Sequence, residues 1–156
     1  MVYLDNLTGI VLAALLGGII GLEREVRGKV AGLRTNILIC LGAAVFTIIS
    51  RQITSEFMAE ASPARIAAQI VTGVGFLGAG AIIRDRGGIL GLTTAATIWM
   101  VASVGMACGA GFYLLATAST VIALIVLLGL TPLEKRVSSH RRKSKITSET
   151  NNNNNN

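Results

Sequence analysis

The chain has little charge. Only 14% of its 156 residues are Asp, Glu, Lys or Arg, against roughly 25% in an ordinary soluble domain. That is too little charged surface to cover a core of this length in water. A soluble globular domain is excluded, and so is a disordered chain, which would need a low apolar content. Histidine occurs once, as His140, near the end of the chain. No histidine can therefore partner a serine nucleophile, and there is no H-E-x-x-H zinc spacing. An enzyme is not expected, and no cofactor is called for. The apolar stretches contain no Asp, Glu or His. A proton- or cation-coupled pump usually carries such a group inside the membrane.

What is present is apolar residue and glycine. Hydrophobic residues make up 52% of the chain, glycine contributes 18 positions, and the net charge is +6. The mean hydropathy is +0.65. A membrane-spanning helix needs about 20 apolar residues. Asn6–Leu22 is the first candidate, Thr35–Ser50 (running on to Ile53) the second, and Ile66–Ile83 the third. Gly87 to Leu133 has no charged residue, which is too long for one span and right for two. The glycines around Ala107–Gly111 are the natural turn. Spans four and five are then Ile89–Ala107 and Phe112–Leu130, with Thr131-Pro132 closing the last and Ser62-Pro63 opening the third. The expected fold is all-α, a polytopic transmembrane bundle of about five spans. Residues 1–133 form the membrane domain, and 134–156 form a basic, then asparagine-rich, disordered tail.

The basic residues set the expected orientation. With the N-terminus outside and the C-terminus inside, 12 Lys and Arg lie on the inner side and 2, Arg51 and Arg65, on the outer. Positive charge favours the cytoplasmic side. The charge balance is thus an orientation signal and not a nucleic-acid signature. The N-terminal stretch lacks the positive region of a cleavable signal peptide, so span one is expected to stay. Tyr3, Phe57, Phe112 and Tyr113 fall at outer helix ends, where an aromatic belt would lie. Cys40 and Cys108 are expected to differ in depth by roughly 20 Å, given about 1.5 Å of rise per residue. A disulfide needs Cα atoms within about 7 Å. Both read as small packing residues.

Two groups of residues are candidates for function. The first is an inner-face cap of Glu23, Arg24, Glu25, Arg27, Arg34, Thr35, Asn36, Arg84, Asp85, Thr93 and Thr94. Glu23–Arg27 and Glu25–Lys29 have i,i+4 spacing, which extends span one as a salt-bridged turn. These charges serve equally as helix anchors that bind anionic lipid. A Mg²⁺ site needs one or two carboxylates with water. Three carboxylates are available, but the arginines oppose a cation, so metal binding stays open. The second group lies inside the membrane: Gln69, Thr72, Gly73, Gly75, Gly78, Gly80 and Thr97. Gly73-Val74-Gly75-Phe76-Leu77-Gly78 fits the dinucleotide pattern G-x-G-x-x-G. That pattern requires a preceding strand and an acidic residue about 20 positions on, where this chain has Ile98. The glycines read either as close helix packing or as an unwound transporter segment. Ala13, Gly17 and Gly21 form a similar small-residue stripe, as do Gly91/Ala95 and Gly105/Gly109, and such faces also suit a homo-oligomer.

The order and spacing of several motifs resemble one family. They are Gly21-Leu22-Glu23-Arg24-Glu25, Ala31-Gly32-Leu33-Arg34-Thr35-Asn36, Arg65-Ile66-Ala67-Ala68-Gln69-Ile70-Val71, Gly75-Phe76-Leu77-Gly78-Ala79-Gly80, and Gly91-Leu92-Thr93-Thr94-Ala95-Ala96-Thr97 with Trp99. Across residues 5–130 the chain closely resembles the MgtC/SapB family of bacterial inner-membrane proteins. The resemblance implies a non-enzymatic multi-pass protein tied to magnesium homeostasis, growth at low Mg²⁺ and, in pathogens, virulence. It also implies a membrane partner, such as the F-type ATP synthase, with a Mg²⁺ or other solute transporter or channel component as the alternative. Many members carry a soluble C-terminal domain of ACT-like type, and here the chain stops soon after span five.

Overall fold

The structure, a computed structural model, describes residues 2–57, 63–85 and 88–129. The elements are α1 (Val2–Val26), α2 (Leu33–Phe57), α3 (Pro63–Gly80), β1 (Ile83–Asp85), β2 (Gly88–Leu90), α4 (Leu92–Ala110) and α5 (Tyr113–Gly129). The all-α bundle expected from the sequence is what forms, with five helices among the described residues. Leu4–Val26, Leu33–Thr54 and Leu92–Ala110 are each long and apolar enough to cross a membrane, and α3 and α5 contribute shorter apolar stretches. Met1–Val121 makes one compact unit. A second begins at Ile122 and is helical to Gly129, its last described residue. The tail expected from 134, the Thr131-Pro132 stop, Ser62 and Arg86 lie outside the described residues.

The packing is the reverse of that of a water-soluble protein. Large apolar side chains point outward, among them Leu15, Leu38, Phe46 and Leu114. The interior is rich in small groups such as Ala13, Cys40, Ala44, Ala102 and Cys108, packed around a few larger ones, Ile20, Val101 and Val104. Lipid is as apolar as leucine, so burying leucine brings no gain. Close van der Waals approach between backbones does. A methyl group on Gly17 would come within 2.6 Å of Cys40 Cβ, and one on Gly21 within 2.9 Å of Leu33 Cα. α1 and α2 therefore touch along the stripe read from Ala13, Gly17 and Gly21. Gly105 and Gly109 of α4 lie directly against the carbonyls of Cys40 and Ala44, where any side chain would overlap α2's backbone.

This register corrects the expected separation of the cysteines. α4 runs parallel to α2, with Gly105 beside Cys40 and Gly109 beside Ala44. Cys40 and Cys108 thus lie within about one helical turn in depth. The estimate of roughly 20 Å failed because α4 begins well before α2 at their shared end. Both thiols are free and buried, so the reading of small packing residues stands.

The boundaries of span four also need correction. Residues 88–90 do not open a helix. They pair antiparallel with 83–85, with Ile83 opposite Leu90 and Arg84 opposite Ile89. Gly91 then adopts φ +89°, and its backbone sits against the Ala81 carbonyl. Only glycine suits both conditions. A short apolar run such as Gly88-Ile89-Leu90 looks the same before a helix or inside a strand. The turn after span four falls later than expected as well. α4 continues to Ala110, and Gly111 at φ +85° ends it. The Gly111 and Phe112 N–H groups donate to Cys108 and Ala107 carbonyls at 3.1 and 2.9 Å, a Schellman cap.

α3 is continuous from Pro63 to Gly80, which rules out the unwound reading of its glycines. A methyl group on Gly78 would lie 3.7 Å from Ala95 of α4, an ordinary contact, whereas one on Gly73, Gly75 or Gly80 would meet no described residue within 4 Å. Of these four glycines only Gly78 lies against another helix, and a methyl group would fit there. Gly105→Ala should cost about 1–3 kcal/mol through overlap with α2, seen as a lower melting temperature in detergent. Gly75→Ala should be neutral or stabilising by up to about 1 kcal/mol, since only helix propensity changes there.

Candidate functional site

The expected salt-bridged turn forms at the end of α1, and its centre is Glu23. Arg24 Nε donates to Glu23 Oε2, and Arg24 Nη2 to Oε1 at 2.7 Å. Arg27 Nε lies 2.6 Å from the same Oε1. One carboxylate therefore holds two guanidinium groups. The Arg24 side chain is 3% exposed and that of Glu23 9%, so this is an interior ion cluster. Its net positive charge suits the C-terminus of α1, where unpaired carbonyls concentrate negative potential.

Glu25 does something the spacing did not suggest. The helix ends at Val26, so Lys29 is not on its face. Glu25 Oε2 accepts the Leu33 N–H at 2.9 Å, capping the first turn of α2. The carboxylate lies on Gly32, where a side chain would displace it. The connection between the helices is closed further by Asn36. Its Nδ2 donates to the carbonyls of Ala31 and Gly32, both at 2.8 Å. Asn36 is fully buried, and its Oδ1 has no hydrogen-bond partner among the described residues.

Helix register places α4 beside this cluster. α1 and α4 are antiparallel, with Gly9 against Cys108. At about 1.5 Å per residue Arg24 is then level with Thr93. The parallel pairing of α2 and α4 puts Thr97 level with Gly32, where the Asn36 amide is held. Thr94 and Thr97 are buried, and Thr97 Oγ1 donates to the Thr93 carbonyl at 2.8 Å. Arg34, Thr35, Arg84 and Thr93 are exposed. The cap named from the sequence is therefore two things: a buried ion and amide cluster, and an exposed set of basic and hydroxyl groups. Asp85 closes β1 opposite Gly88, and its side chain is outside the described residues. Among the described residues no three His, Cys, Asp or Glu side chains come together as a metal site. Both oxygens of Glu23 are committed to arginine.

The intramembrane candidates separate from this cluster. Thr72 Oγ1 donates back to the Ala68 carbonyl at 3.0 Å. Gln69 is exposed and lines an apolar groove of about 560 Å³ between α2 and α3, where it is the one polar side chain among the described lining residues. Of this group Thr97 and Gly78 are buried, and the others described are exposed.

The MgtC family profile matches residues 10–136. The chain belongs to the MgtC family. It is similar to protein MgtC of Brucella abortus, 49% identical over 121 residues, covering 78% of this chain and 49% of that one. It is 46% identical to protein MgtC of Salmonella typhimurium (strain LT2) over 138 residues, covering 88% of this chain and 58% of that one. It is 48% identical over 122 residues to YhiD of Escherichia coli (strain K12), named as a candidate magnesium transporter, covering 76% and 57%. The chain thus spans about half the length of the curated relatives it matches. No solved structure matches it. Membership and the apolar helices make this MgtC-family chain a multi-pass protein of the bacterial inner membrane.

Sequence reasoning missed the cap that Glu25 provides and the role of Arg51, which donates from Nη1 to the Gly109 carbonyl at 2.9 Å. A lone arginine inside an otherwise apolar stretch was the available signal for the latter. Glu23→Gln should cost about 3–5 kcal/mol, because it strands the buried Arg24 charge. Arg27→Gln should cost only about 0–1 kcal/mol, since that side chain is 29% exposed. Unfolding of the purified variants in one detergent measures both.

Proposed function

We propose that this chain is a non-enzymatic membrane protein of magnesium homeostasis that acts by contacting a membrane partner, with the F-type ATP synthase as the first candidate. The observation that supports it most is the double engagement of Glu23 by Arg24 and Arg27. A carboxylate held by two arginines is a poor ligand for a passing cation. It makes a stiff platform from which Arg34, Thr35, Arg84 and Thr93 project. Exposed arginines at a helix end suit an acidic partner surface and anionic lipid. The magnesium connection rests on the MgtC and YhiD relatives. The platform end is assigned to the cytoplasm by the charge asymmetry of the loops.

A second reading is a transporter or channel component, favoured by the groove beside Gln69 and the open glycine face of α3. Self-association through that face would serve either reading.

The two readings separate in a deletion strain grown at low Mg²⁺. Arg34→Glu with Arg84→Glu should abolish complementation at unchanged protein level, and should release a co-purifying membrane complex. Gln69→Leu should have no effect on growth. Magnesium flux into liposomes that is lost in Gln69→Leu, with the double arginine variant fully active in the cell, would reverse the assignment.

A further inference from the structure

A second cavity lies at the opposite end of the bundle from Glu23. Its volume is about 380 Å³, and it is bounded by α2, α4, Ala67 of α3 and residues Phe112 and Leu115. One side is polar, with Thr47, Ser50, Arg51 and Ser103, and the other is apolar. Among the described residues no acidic side chain lines it.

The hydrogen-bond inventory shows which donors are free to act. Thr47 Oγ1 already donates to the Ala43 carbonyl, and Ser103 Oγ to the Met100 carbonyl, both at 2.7 Å. Ser50 is 3% exposed, and its hydroxyl has no partner among the described residues. A buried, unsatisfied hydroxyl is costly and is normally matched by something. Arg51 donates one N–H to Gly109, and among the described residues its other donors, of five in all, have no partner. That one bond also positions the guanidinium. The carbonyls of Ala107 and Cys108 are taken by the Schellman cap and that of Gly109 by Arg51. Three of the last four carbonyls of α4 thus have donors, and Arg51 and Ser50 supply the cavity with a cation and a hydroxyl donor.

Depth indicates what such a site would meet. Arg51 is within one turn of Thr54, the end of the apolar span Leu33–Thr54. That is the level at which a bilayer presents phosphate groups, and apolar walls continue from there along Ala67, Ala107 and Leu115. We propose that this cavity binds a phosphate group through Arg51 and Ser50, in addition to whatever the Glu23 end contacts. Guanidinium and phosphate form paired charge-assisted hydrogen bonds, which gives the site both affinity and orientation. The phosphate arrives either on a phospholipid, whose chain lies along the apolar wall, or as a free ion.

The test uses the purified full chain in non-ionic detergent and ³¹P line broadening. The probes are dihexanoyl phosphatidylglycerol, inorganic phosphate and dihexanoylglycerol, which lacks phosphate. Phosphatidylglycerol should bind, and Arg51→Gln should weaken it about tenfold or more, the loss expected for a charged hydrogen bond. Ser50→Ala should weaken it several-fold, and Arg51→Lys should retain part of the binding because it keeps the charge. Circular dichroism of each variant separates loss of the site from loss of the fold, with Arg51→Lys and Ser50→Ala preserving the helix. Displacement by millimolar inorganic phosphate assigns the site to the free ion, and failure to displace assigns it to lipid. Equal binding of dihexanoylglycerol (read by its competition for the lipid), unchanged affinity in folded Arg51→Gln, or no binding of either phosphate probe overturns the proposal.

Discussion

The contact that the rest of the structure depends on is the seating of Gly105 and Gly109 on the carbonyls of Cys40 and Ala44. In lipid no solvent drives apolar side chains together, so helices associate where their backbones can come close. Two glycines one turn apart on α4, and Gly17 with Gly21 on α1, supply that closeness on both sides of α2. The three helices form a tight core that also takes in Ile20, Val101 and Val104, and most of the other large side chains face the lipid. A single methyl group at Gly105 would hold α4 away along its length.

The polar cluster at the Glu23 end is a consequence of this spacing. Ions inside a bundle are tolerated only when their partners are within hydrogen-bond reach. Glu23 reaches Arg24 and Arg27 on its own helix. Glu25 and Asn36 then join the end of α1 to the start of α2 across a loop too short to carry side chains of its own at Gly32. The absent Cβ at Gly32 is as much a part of this arrangement as the carboxylate resting on it. α4 brings Thr94 and Thr97 to the same depth because its register with α2 is set elsewhere, at Gly105 and Gly109.

α3 is held differently. It packs through Val74 and Ile70 in a cluster with Ala43, Ile98 and Ala102, leaves Gly73, Gly75 and Gly80 uncovered among the described residues, and borders an apolar groove shared with α2. The hairpin of 83–85 with 88–90 and the tight turn at Gly91 connect it to α4. The bundle thus has a rigid three-helix part and a helix with an unfilled face. That division matches the two functional readings, one based on the stiff cap and the other on the open face.

Composition and run length alone determined that the chain is helical and membrane-embedded, because a bilayer accepts only long apolar segments whose backbone is bonded within the segment. The small-residue stripes of α1 and α4 were legible too, as was the Glu23–Arg27 pair, since all rest on spacing along one helix. Local spacing did not determine depth between helices. It missed the closeness of Cys40 and Cys108, the hairpin ahead of α4, the isolation of Gly73 and Gly75, and the meeting of Arg51 with Gly109. Glu25 shows the same limit, for its partner Leu33 is eight residues away and on another helix. Periodicity reports which residues share a face. Only the tertiary structure decides what that face meets, because the register between helices is set by close contacts whose partners lie far apart in the chain.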